Sequence, residues 1–127
     1  MNISIPAFAA ALAVILLARQ SFAEDKVYAP NDLPGLKEMT GKPVIVEGTV
    51  TAQGENKTGT IRYLNFAKNF KEAISLVFIM SKGGDEFAKD KLGAFVGKKV
   101  RVTGTVGTFN EALQIKIDKL DQIQVQP

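Results

Sequence analysis

Two stretches of the chain share one pattern of apolar and polar positions. Leu36 to Val50 reads LKEMTGKPVIVEGTV, and Leu92 to Val106 reads LGAFVGKKVRVTGTV. At a constant offset (36 to 92, or 56 residues), Leu, Gly, Lys, Val, Val, Gly, Thr and Val recur, eight of fifteen positions, and Met39 answers Phe95 in character. Self-similarity of this kind marks a repeated structural unit. Each copy is a short apolar turn, a glycine that stops it, a Val-x-Val strand and a second glycine inside that strand. Such a unit builds half of a small closed barrel. Barrel strands bend sharply to pair at both ends, and a mid-strand glycine, Gly48 or Gly104, permits the bend.

Alternation along the rest of the chain predicts five strands. The first covers residues 44–52, with Val44, Val46 and Val50 on one face and Ile45, Glu47 and Thr49 on the other. A turn at residues 53–58 leads to the second strand, residues 59–66. After a loop at residues 67–72 comes the third, residues 73–81, which is apolar on both faces and therefore has one face covered or used as a site. Asp85 is suited to cap a short helix over residues 86–92, with acidic residues in its first turn. The fourth strand, residues 99–109, alternates Val100, Val102 and Val106 against Lys99, Arg101 and Thr105. Asn110-Glu111 makes a turn. The fifth, residues 112–117, points Leu113, Ile115 and Ile117 inward and Gln114 and Lys116 outward, and residues 121–125 add a short edge piece. Three strands, one helix and two strands predict an all-β domain, a five-stranded Greek-key barrel with its helix between strands 3 and 4.

The amino-terminal pattern is different. Ile5 to Leu17 is an unbroken apolar run, short of the roughly 20 residues that span a bilayer. Ser21-Phe22-Ala23 follows, with small residues at the two positions a signal peptidase reads, and then Glu24-Asp25. Residues 1–23 are thus expected to be a signal peptide, residues 24–40 a lead-in with a short helical turn, and residues 41–127 the barrel. No Lys or Arg precedes the apolar run and Arg19 follows it, so an uncleaved anchor is the competing reading. Cleavage predicts a periplasmic or secreted domain with no stable membrane insertion.

Composition removes whole classes of chemistry. The chain has no Cys and no His. That excludes disulfides, imidazole-ligated metals and every Ser-His or Cys-His catalytic arrangement. Sixteen Lys and Arg stand against thirteen Asp and Glu. Without Arg19 the balance is fifteen to thirteen, or +2, too small for a strong electrostatic footprint. The carboxylates lack the spacing of a metal loop. A nuclease of the thermonuclease type shares this barrel but needs acidic ligands and catalytic arginines, and beyond the signal segment only Arg62 and Arg101 are present. The reading is non-catalytic, with no cofactor.

GKPVIVEGTV, then GTIRYLNF, then a helix and GKKVRVTGTV, resembles the oligonucleotide/oligosaccharide-binding (OB) fold. The combination is similar to small exported bacterial proteins of that fold described as nucleic-acid-binding domains. The likeness covers about residues 36–126, through Gly41 to Val50, Leu64 to Phe66 and Gln122 to Val125. It implies a glycine after Leu-Asn-Phe, where this chain has Ala67. It also implies a ligand face on the second and third strands, flanked by the loops after strands one and four.

The residues on that face suit single-stranded nucleic acid. Arg62, Tyr63, Asn65, Phe66, Lys68, Asn69, Phe70 and Lys71 interleave aromatics with cations, so rings stack on bases while charges follow phosphates. Lys57 and Phe109 stand at the loops that would join them. The candidate ligand-binding set is Lys57, Arg62, Tyr63, Asn65, Lys68, Phe70, Lys71 and Phe109. Competing readings exist for several. If Leu64 and Phe66 are core, Tyr63 is exposed, while Arg62 points inward and must leave at the barrel rim. Phe70 would serve equally to plug the barrel's end, and Asn65 to satisfy backbone groups of the next loop. Lys98, Lys99 and Arg101, with Lys42, form a second basic cluster, suited to solubility as much as to phosphate. The expected partner is single-stranded nucleic acid; the alternative is an envelope protein or glycan bound through the same face.

Overall fold

The computed structural model describes residues 26–127. The predicted signal peptide lies outside the described residues. In chain order the elements are β1 (Val27–Tyr28), α1 (Leu33–Glu38), β2 (Pro43–Thr49), β3 (Ala52–Glu55), β4 (Ile61–Asn65), β5 (Ser75–Ile79), α2 (Met80–Gly83), a 3-10 turn (Gly84–Phe87), α3 (Lys89–Gly93), β6 (Lys99–Phe109), β7 (Ala112–Ile117), a second 3-10 turn (Leu120–Gln122) and β8 (Ile123–Val125). The strands form one mixed sheet in the order β1-β2-β6-β7-β5-β4-β3, with β8 also on β6. β1 runs parallel to β2 and β5 parallel to β7; the other neighbours are antiparallel.

This is an OB-like all-β fold, but the hydrogen-bonded ladder is an open path and not the expected closed ring of five strands. The predicted first strand is two strands. Val50 N still donates to Lys98 O at 3.0 Å, whereas Thr51 N donates to Asn65 O at 2.8 Å. Between those two residues the chain leaves β6 and joins β4. The two sides of the path therefore meet through the backbone at Val50-Thr51, not through a further ladder. The single predicted helix is likewise three pieces. Ala88 is extended (φ −60°, ψ 151°), and Gly84 has φ +53°, so neither continues a helix. Asp85 lies inside the 3-10 turn and makes no capping bond there. The lead-in is also more ordered than its punctuation suggests. Asp32 caps α1 through Gly35 N, and Pro30 O accepts from Ile74 N at 2.9 Å.

The repeat is visible as an approximate two-fold axis. β2 and β6 pair with Val46 opposite Val102, which are each other's counterparts in the two copies. Val44 then faces Gly104 and Gly48 faces Val100, the same pairing seen from either strand. Hydrogen bonds obey the same relation. Gly97 N donates to Val50 O at 2.7 Å and Gly41 N to Val106 O at 2.8 Å. Leu36 and Leu92 are both fully buried, and Met39 and Phe95 both lie half-buried against the core. Gly41 (φ +83°) and Gly97 (φ +84°) end the two apolar turns in a conformation that glycine alone adopts without cost.

The mid-strand glycines also make room for neighbouring side chains. Neither has positive φ. A Cβ on Gly48 would lie 2.4 Å from Pro30 Cγ, and one on Gly104 would lie 2.4 Å from Ile115 Cγ2. They provide room for a neighbour's side chain. Around them Val44, Val46, Leu64, Leu76, Phe78, Val100, Val102, Ile115 and Ile117 form the core. Phe87 closes one side, its ring edge-on to Phe78 at 5.2 Å between centroids.

Candidate ligand groove

Register alone builds the floor of the candidate site. β5 lies between β4 and β7, with Asn65 opposite Ser75 and Ser75 opposite Gln114. Side chains two apart share a face. One row on the outer surface is therefore Asn65–Ser75–Gln114, and the next is Tyr63–Val77–Lys116. Gly107, opposite Gln114 on β6, extends the first row with bare backbone. Leu64, Leu76 and Ile115, one residue over, point into the core. The third strand was expected to be apolar on both faces; its outer face is this floor.

Two loops wall the floor. The β4–β5 loop brings Phe70 and Lys71, with Asn69 Oδ1 accepting from Lys71 N at 2.8 Å to hold the turn. The β6–β7 hairpin brings Phe109 and Asn110. Asn110 (φ +49°) and Glu111 (φ +68°) take the two left-handed positions of a tight hairpin turn. The result is a groove of about 480 Å³, lined by Tyr63, Asn65, Phe70, Lys71, Ser75, Phe109 and Gln114 among others. That volume suits a small ligand or a short segment of a longer one. Phe70 is 53% exposed and Phe109 61%, far more than rings serving a core would be. Phe70 does not plug the domain's end. Asn65 serves its neighbour's side chain and not the loop backbone: the Ser75 hydroxyl donates to Asn65 Oδ1 at 3.0 Å. This bond leaves the amide's N–H donors to spare.

Five of the eight predicted residues, Tyr63, Asn65, Phe70, Lys71 and Phe109, line this groove. Lys57, Arg62 and Lys68 do not. Lys57 is exposed in the β3–β4 turn, at the far end of β4 from Asn65, and Lys68 is an exposed loop residue that contributes nothing to the walls. Arg62 faces inward beside Leu64, as the core position of Leu64 requires. Its Nη1 donates to Phe87 O at 3.0 Å, and its Nε is buried without a partner among the described residues. Arg62 thus ties β4 to the helical connection and lies outside this groove. Ala67, where a glycine was expected, has no positive φ and needs none.

In the second basic cluster one carboxylate, Glu47, engages two of the four cations. Arg101 donates through Nε and Nη2 to Glu47 Oε2 at 2.9 and 2.8 Å, and Lys99 Nζ lies 3.3 Å from Oε1. The Arg101 hydrogen bond, then that of Lys99, holds the Glu47 carboxyl below its ordinary range. Ser75, Asn110 and Gln114 are groove residues that the sequence pattern did not single out. Gln114 was placed outward, but its neighbours depend on the parallel β5–β7 pairing, which no local signal announces. Among the described residues no group of three acidic, His or Cys side chains is arranged to hold a metal ion, and no helix is long and apolar enough to cross a membrane.

No family model matches the chain, and no curated protein matches it. Solved structures do. An OBody, AM3L15, bound to hen egg-white lysozyme aligns with TM-score 0.56 at 17% identity, over 81% of this chain and 95% of its own. OBody AM1L10, also bound to hen egg-white lysozyme, aligns with TM-score 0.51 at 19% identity, over 71% and 83%. Asparaginyl-tRNA synthetase from Pyrococcus horikoshii aligns with TM-score 0.50 at 20% identity over 69% of this chain, which spans only 20% of the synthetase. At such identities the likeness carries architecture alone: the chain has an OB-like all-β fold.

Proposed function

We propose that this protein is a non-catalytic binding domain whose groove receives single-stranded nucleic acid. One observation carries the reading: Phe70, Phe109 and Tyr63 surround a polar floor, with Lys71 at its margin. Exposed rings next to hydrogen-bonding groups suit unpaired bases, which stack on any aromatic face. The open OB-like sheet presents this groove on its outer face in this reading, and the signal segment delivers the domain to the periplasm or the exterior. The apolar run at residues 5–17 followed by Ser21-Phe22-Ala23 supports export, and N-terminal sequencing of the mature protein is expected to begin at Glu24.

Fluorescence titration with labelled single strands at two salt concentrations tests the binding. Each phosphate neutralised contributes a slope of about −0.7 in log K against log salt. With a single lysine lining the groove, a slope near that of one or two phosphates is expected. No measurable affinity for any strand would sink the proposal. Incubation with DNA and calcium or magnesium is expected to leave the DNA intact.

A second reading is an envelope interaction domain that binds a protein or glycan through the same groove. It is favoured by the neutral floor of amides and hydroxyl and by the sequestering of Arg101 and Lys99 on Glu47. Structures of similar fold are bound to a protein, hen egg-white lysozyme. Competition separates the two: an oligosaccharide or envelope protein that displaces no labelled strand leaves nucleic acid as the ligand.

A further inference from the structure

We infer that the groove discriminates among bases, by reading the hydrogen-bonding edge of one stacked base with Asn65, Ser75 and Gln114. The inference rests on the nucleic-acid reading above and goes further, because OB-type strand binding by stacking and phosphate contact is tolerant of sequence.

Three features separate this floor from a plain stacking platform. The polar side chains are register neighbours on three adjacent strands, so about 5 Å separates each from the next and their spacing is set by the sheet. Their orientation is also set. Ser75 is only 7% exposed, and its hydroxyl is committed to Asn65 Oδ1 at 3.0 Å. That bond fixes which end of the Asn65 amide donates outward. Gln114 makes no side-chain hydrogen bond to another described residue, so both ends of its amide are open to a ligand. Asn and Gln amides pair side by side with a donor and an acceptor on a base edge, and such pairs discriminate by about ten-fold or more.

The distribution of charge points the same way. Lys71 is the one cation lining the groove, and Lys116 lies one row away on β7. Arg62 and Arg101 are engaged elsewhere. Within the groove little phosphate attraction is on offer, so what the groove adds to binding has to come from the base itself. The groove's volume limits the contact to one or two nucleotides. Gly107 keeps the far end of the row free of any side chain, and a Cβ there would meet only the Gln114 backbone oxygen, at 3.9 Å. A base edge reaches Gln114 across that gap.

The test is a set of dissociation constants for labelled single-stranded hexanucleotides of each of the four bases. One base is expected to bind about ten-fold or more tightly than the weakest. Gln114→Ala is expected to flatten that preference while moving the weakest ligand less than about three-fold. Gln114→Glu keeps the shape but only accepts, and is expected to shift preference toward cytosine, whose amino group donates. Gln114 is an outward strand residue, so both variants are expected to fold, with matching thermal midpoints as the control. Asn65→Ala provides a second reading of the same row. Phe70→Ala is expected to weaken all four ligands alike. Equal affinity for the four bases, or a preference untouched by Gln114 and Asn65 variants, overturns base reading while leaving strand binding intact. Absence of binding to every hexanucleotide overturns the nucleic-acid proposal, and this inference with it.

Discussion

The molecule has two halves of unlike pattern. One is the paired repeat, β2 against β6 with their apolar turns, where the strand register and the turn hydrogen bonds are related across the Val46–Val102 axis. The other is the sheet β4-β5-β7 with its two loops. Every groove-lining residue, from Tyr63 to Ser75 and from Phe109 to Gln114, falls outside the two copies at residues 36–50 and 92–106. The repeated segments form the scaffold, and the sequence outside them forms the groove. Equivalent buried leucines in the repeat should therefore behave alike on mutation, whereas exposed groove positions should affect binding and leave stability alone.

The largest effect tests the symmetry directly. Leu36 and Leu92 are both fully buried at the start of equivalent turns. Each Leu→Ala variant is expected to cost about 2–5 kcal/mol, transfer free energy plus the cavity left behind. The two values, from denaturant titration at constant m, should agree within about 1 kcal/mol if the environments are equivalent. A gap of several kcal/mol would confine the symmetry to the backbone.

The glycine pair should break the symmetry in a predictable direction. Gly104→Ala drives a methyl onto Ile115, which is wholly buried, and overpacking of a core costs about 1–3 kcal/mol. Gly48→Ala meets Pro30, half-buried in a lead-in tied down by few contacts. That segment has freedom to shift, so Gly48→Ala should be the milder variant. The reverse order in thermal midpoint would mean that the lead-in is a firmer part of the core than its burial suggests.

Legibility in the sequence followed the same division. β6 and β7 have the bounds that alternation predicts, because Gly97 and Asn110-Glu111 punctuate them sharply. The repeat announced the pairing of β2 with β6. By contrast, β1 is two residues long and gives no period, and the helical connection breaks at Ala88 for no reason visible in its composition. The groove was half legible. Aromatics and cations in residues 62–71 marked the right region, yet period two also sends Arg62 inward, and only the helical connection shows where its guanidinium ends. Ser75 and Gln114 join Asn65 through pairing between strands nearly forty residues apart in sequence, and non-local register leaves no mark on either strand alone.

On the groove side the expected effects appear in affinity. Phe70→Ala and Phe109→Ala should each weaken single-strand binding by about 1–3 kcal/mol, the range for loss of one base–aromatic stack. Both rings are more than half exposed, so stability should stay within about 0.5 kcal/mol of the parent. A variant that loses binding and stability together would make these rings part of the fold, and the division between the halves would fail.

The smallest effect concerns Glu47, on the scaffold side but without a charged counterpart there, since its equivalent position is Thr103. Its carboxyl is held below the ordinary value of 4.5 first by the Arg101 hydrogen bond and then by Lys99. A depressed folded-state pKa means that the unfolded chain takes up the proton first as pH falls. The contribution to stability is then full above the ordinary value and is lost as pH drops through the folded one. Glu47→Gln should lower the thermal midpoint slightly at neutral pH, and the difference should shrink as pH falls below the ordinary carboxylate value. Salt should shrink it as well, because the three side chains are open to solvent. The same variant releases Arg101 and Lys99 at a distance from the groove. If binding takes place in the groove, single-strand affinity at moderate salt should not rise; a clear gain would mean that phosphates follow the scaffold face, and that the site is wider than the unduplicated half.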